Sequence, residues 1–103
     1  MNLNEYDPTQ NYYDLLKKYN KVILGDTFNQ SINFLPESIT HLQLGKYFNN
    51  PIINLPSNLK ELIIEANKFD YSYFNQSLDY LPQFLETLII KMSKDFNFPL
   101  DNL

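Results

Sequence analysis

With 103 residues, a net charge of −4 and a composition 44% hydrophobic and 16% aromatic, the chain has room for one small domain and enough apolar surface for a core. All eight basic residues are lysines; without arginine, and with a net negative surface, nucleic-acid binding is not expected. Cysteine is absent, which excludes disulfides and thiolate metal sites. The start, MNLNEYDPTQ, lacks the basic-then-apolar order of a secretory signal, and no apolar run approaches bilayer length, so a soluble cytoplasmic protein is expected.

The first element is a helix. Asp7-Pro8 is a helix-start signal, because Asp can cap free N–H groups and Pro suits the first helical position. Tyr12, Leu15, Leu16 and Tyr19 then recur at helical spacing, with Lys17 and Lys18 near the far end where cations suit the dipole. This predicts a short amphipathic helix over Thr9–Tyr19. Residues 1–19 are expected to cap the open end of the fold formed by the rest of the chain, with docking to a partner as the sharper alternative.

From residue 20 onward the chain repeats. Phe28–Leu44, Phe48–Ile64 and Phe74–Ile90 share one pattern, which begins a fourth time at Phe96–Leu103. Counted from Phe, Asn stands at +1, Ile or Leu at +4, Leu at +7, Pro at +8, Ile or Leu at +11, Leu at +14, and Leu or Ile at +16. Val22-Ile23-Leu24 is the tail of an earlier copy. Val22, Leu42 and Leu62 are spaced by twenty residues and Leu88 follows after 26, the excess being a six-residue insertion within residues 65–73. A constant packed part with a variable loop on one face is the signature of a solenoid. The alternation of the x-Leu-x-Leu segments predicts one short parallel strand per coil, giving a mainly β solenoid of about four coils across residues 20–103.

In each coil the inward set is Phe28, Ile32, Leu35, Ile39, Leu42 and Leu44 or their equivalents. Pro36, Pro56 and Pro82 turn the chain where no ladder N–H is needed. Gly25 and Gly45 follow the first two strands, where a positive φ would be cheap. The Asn after each Phe (Asn29, Asn49, Asn75 and Asn97) sits beside a buried ring, so its amide needs partners; a structural ladder between stacked coils is expected. A row of Asn ligands for an ion or sugar is the functional alternative.

The run Leu35-Pro36…Ile39…Leu42…Leu44-Gly45…Phe48-Asn49-Asn50-Pro51-Ile52 resembles the FNIP repeat, a leucine-rich-repeat-like family, and the resemblance covers about Val22 to Leu103. Some members of that family carry an F-box that links them to a ubiquitin ligase. The first 18 residues here are too short for an F-box and lack its Leu-Pro opening.

No constellation supports catalysis, and no cofactor or metal is expected. His41 is the one histidine; with Glu61 one coil on it makes a surface pair that lacks a nucleophile, an oxyanion donor and a pocket. Glu61 and Glu65 lack the further convergent ligands a metal needs. Asn29-Gln30-Ser31 and Asn75-Gln76-Ser77 fit the glycosylation pattern but follow no secretory signal.

The outward strand positions are Lys21 and Ile23, His41 and Gln43, Glu61 and Ile63, Thr87 and Ile89. With Phe69, Tyr71 and Tyr73 of the inserted segment, His41, Gln43, Glu61, Ile63, Thr87 and Ile89 form the candidate protein-binding patch. The last coil offers only Phe96, Leu100 and Leu103, leaving an uncapped edge that suits a fragment or self-association with a second copy. The expected function is a non-enzymatic protein–protein interaction module using the strand face and the 65–73 loop. The alternatives are the substrate-recognition part of an F-box-type ubiquitin ligase, or a repeat fragment without independent function.

Overall fold

The computed structural model describes residues 1–3, 5, 7–65, 74 and 76–91. Within them the chain winds as a repeat solenoid around one open, all-parallel sheet whose strands neighbour one another in sequence order. These are β1 (Asn2–Leu3), β2 (Lys21–Leu24), β3 (His41–Leu44), β4 (Glu61–Ile64) and β5 (Thr87–Ile90), with one short helix, α1 (Tyr12–Leu16), between β1 and β2. β2 to β5 are the x-Leu-x-Leu segments read from the sequence.

Register follows the repeat. Leu42 pairs with Leu62 and Leu62 with Leu88, so the pairing is unbroken where the interval lengthens. Alternation then sends Val22, Leu24, Leu42, Leu44, Leu62 and Ile64 inward, all essentially without exposure. β3, β4 and β5 each open in the same way: one carbonyl of the coil before accepts two successive N–H groups. Asn20 O takes Thr40 and His41, Thr40 O takes Lys60 and Glu61, and Lys60 O takes Glu86 and Thr87. The prolines close tight turns, as Pro36 O, Pro56 O and Pro82 O accept the N–H of Ile39, Leu59 and Leu85. Those three donors are themselves inward residues, so each turn delivers a core side chain just ahead of its strand.

The core contains a column of rings just past the ends of the strands. Phe28, Phe48 and Phe74 stack with centroids 6.5 and 6.3 Å apart and planes tilted by only 10° and 13°. Ile32, Ile52 and Leu78 form a second buried column beside them. The last described coil is less enclosed: Leu81, Leu85, Leu88 and Ile90 are half-buried.

The N-terminal segment differs from expectation in two ways. The helix spans Tyr12–Leu16 rather than Thr9–Tyr19, and its cap is Asn11, whose Oδ1 accepts the Asp14 N–H at 3.1 Å. Asp7 instead closes a turn of its own by accepting from the Thr9 N–H at 2.9 Å and Oγ1 at 2.7 Å. Those two bonds, the hydroxyl's first, hold the Asp7 carboxyl below its ordinary range. A nearer partner thus preempts Asp7, and the cap falls four residues later. Ahead of the helix, β1 pairs with β2 through Asn2↔Ile23 and Leu3↔Leu24, a strand that the sequence pattern does not announce. Tyr12 and Leu16 bury against the common core, with the Tyr12 ring 5.0 Å from Phe34 and its hydroxyl accepting the Asp7 N–H at 2.7 Å.

Gly45 is also explained differently from expectation. Its backbone is not left-handed. A Cβ added there would stand 2.3 Å from the Gly25 carbonyl oxygen and 2.7 Å from its carbon. Glycine is needed because two coils approach backbone to backbone, not because φ is positive.

Candidate protein-binding face

The outward side chains of four parallel strands fall into two ranks. The first is Lys21, His41, Glu61 and Thr87, and the second is Ile23, Gln43, Ile63 and Ile89; successive members pair directly in the ladder. Asn2 extends the second rank onto β1. All six of His41, Gln43, Glu61, Ile63, Thr87 and Ile89 therefore share one surface, as alternation requires once the inner face is fixed.

The ranks differ in character. In the first, His41 Nε2 lies 3.7 Å from Glu61 Oε2, while His41 Nδ1 meets Thr40 Oγ1 at 2.8 Å. Both side chains are part-exposed, and a pair in that setting adds little to stability. The second rank becomes apolar toward the far end, where Ile63 is half-buried and Ile89 is 40% exposed. A β-branched pair stabilises strands, but Ile89 at the last described strand leaves much of its side chain in water. Phe69, Tyr71 and Tyr73 lie outside the described residues.

The Asn ladder forms in its first steps, but on the surface. Asn29 and Asn49 are exposed, and Asn29 Oδ1 accepts the Asn49 backbone N–H at 2.8 Å and Asn50 Nδ2 at 2.7 Å. Gln76 Nε2 makes the next step, donating to Asn49 Oδ1 at 2.8 Å and Asn49 O at 3.2 Å. The corner that buries Phe turns the next residue outward, so these amides tie coil to coil at the rim. Asn75 and Asn97 lie outside the described residues. Since Asn29 serves as acceptor only in this ladder, Asn29→Asp should melt within a degree or two of the wild type. Asn29→Ala should lose about 1 kcal/mol, on the order of a capping bond, measured by urea unfolding.

Other cross-coil ties use the variable positions and so leave no mark in the repeat pattern. Glu37 Oε2 accepts the Ser57 N–H and the Ser57 hydroxyl, and Asn33 Oδ1 accepts from Asn54 Nδ2 at 3.2 Å. Lys46 and Asp26 pair at 3.5 Å. Aligning every column at the twenty-residue register, not only the fixed ones, would have set Glu37 beside Ser57.

Among the described residues no group of three or more His, Cys, Asp or Glu could hold a metal ion, and no helix is long and apolar enough to cross a membrane. Two of the grooves among the described residues, of about 480 and 490 Å³, are lined by none of His41, Glu61 or Ile63. Residues 28–66 match the family model described as FNIP Repeat. No curated protein and no solved structure matches the chain.

Proposed function

We propose, for a chain that belongs to the FNIP repeat family through residues 28–66, a role as a non-enzymatic protein-interaction module that binds through the outer face of its sheet. The observation that carries this reading is the second rank, where Gln43, Ile63 and Ile89 stand side by side on a face with no covering element among the described residues. Repeat scaffolds arranged like leucine-rich repeats present such a face to partners. The contacting set is His41, Gln43, Glu61, Ile63, Thr87 and Ile89, extended by the 65–73 loop with Phe69, Tyr71 and Tyr73. The set joins the apolar Ile63 and Ile89 to the polar and ionisable His41, Gln43, Glu61 and Thr87, a mixture usual in protein interfaces. In this reading α1 and β1 together close the N-terminal end of the coil stack, and the protein works in the cytoplasm.

The test is the double variant Ile63→Glu with Ile89→Glu. Affinity capture followed by mass spectrometry should lose the wild-type partner at least tenfold, while the circular-dichroism melt shifts by only a few degrees. Equal recovery of that partner by the variant would remove the strand face from consideration.

A further inference from the structure

A second surface lies at the rim where the strands begin. In three successive coils the residue three places before the strand is Ser38, Asn58 and Phe84, and all three are exposed. The fold asks only for a small polar side chain at this position, yet Phe84 stands there with 61% of its surface in water. It adds nothing to the core. It forms one wall of the groove of about 490 Å³, whose other walls include Glu37, Lys60 and Glu86. The Glu37 carboxylate is fixed there by the Ser57 N–H and hydroxyl.

We propose that this groove binds an arginine side chain presented by a protein partner. A flat ring with an open face attracts a cation through its quadrupole. Two carboxylates against one ammonium leave the groove net negative, on a chain whose own charge is −4. The planar guanidinium, charged at all working pH, can stack on the ring while its edge N–H groups donate to carboxylates beside it, which the compact lysine ammonium cannot match. The site is separate from the strand face: neither Phe84 nor Glu86 belongs to either outward rank.

The experiment is an ¹⁵N NMR titration of the full chain with acetyl-Gly-Arg-Gly-amide, with the glutamate tripeptide as control. The arginine peptide should shift the amides around Phe84, Glu86 and Lys60, and the glutamate peptide should not. Phe84→Ser installs the residue that the equivalent position already carries at Ser38, so the fold should be kept while affinity falls at least fivefold. Phe84→Leu should fall similarly, because it keeps the apolar wall but not the ring. Absence of shifts, equal binding of both peptides, or undiminished binding by either Phe84 variant would overturn the assignment. The Ile63→Glu, Ile89→Glu protein should titrate like wild type, so failure of the strand-face reading and failure of this one are told apart.

Discussion

Phe48→Ala should be the most damaging single truncation of this chain, lowering stability by about 3–5 kcal/mol, the usual cost of removing a buried ring. Phe48 is fully buried and is sandwiched by Phe28 at 6.5 Å and Phe74 at 6.3 Å. Truncation therefore empties the middle of a column and strips a partner from two further rings, each such pair being worth about 0.5–1.5 kcal/mol beyond its burial. A domain of this size commonly has about 5–15 kcal/mol in all, so the variant should sit near the edge of folding at physiological temperature. With each kcal/mol worth roughly 4–8 °C, the melting midpoint should drop by about 20 °C. Phe48→Leu, which keeps most of the volume, should lose less than half as much. A Phe48→Ala midpoint within a few degrees of wild type would mean the ring column is not the core.

The second large effect is expected at Gly45, and its sign is the informative quantity. At a position without a left-handed backbone, replacing Gly by Ala should by chain entropy alone stabilise the fold by about 0.4–1 kcal/mol. The added methyl group would instead meet the Gly25 carbonyl at 2.3 Å and the Asp26 Cα at 2.9 Å. These are backbone atoms, and Gly25 O is further tethered by the Phe28 N–H at 3.1 Å. No rotamer change can relieve the contact; the first two coils have to part. Gly45→Ala should therefore destabilise by about 1–3 kcal/mol, as overpacking does, a loss of roughly 10 °C in the thermal melt. A stabilised variant would show that the coils have room to separate.

The two positions illustrate what a sequence of this kind makes legible. Phe48, Leu42 and Leu44 recur at set intervals, and recurrence plus alternation is enough to place a residue inward, so β2 to β5 and their core columns can be read directly. Gly45 recurs too, but a sequence cannot say whether a glycine answers to its own dihedral or to a neighbour twenty residues away. Asn29 is recognisable as a ladder residue yet lies on the surface rather than beside the core, because adjacency to Phe28 does not reveal on which side of a corner the next side chain falls. The N-terminal turn departs from expectation for a competing local reason: Thr9 offers Asp7 two donors closer than the helix does. β1 escapes notice because two residues are too few to display a period, although Leu3 stands in register with Leu24 and through it with the repeat. For the candidate site, the membership of the two ranks is readable, while the groove beside Phe84 is not, since it is made by columns in which no residue is repeated.

Glu61 and Thr87 are adjacent across the sheet just as His41 and Glu61 are, although the chain between the former pair is longer. Parallel neighbours sit about 4.8 Å apart whatever the length of the connection joining them. The outer face behaves like a ruler whose graduations are set by hydrogen-bond spacing, insulated from insertions made elsewhere in the coil. Length can be gained or lost between one strand and the next without moving any mark on the sheet, so the spacing of the face does not depend on the length of the connections.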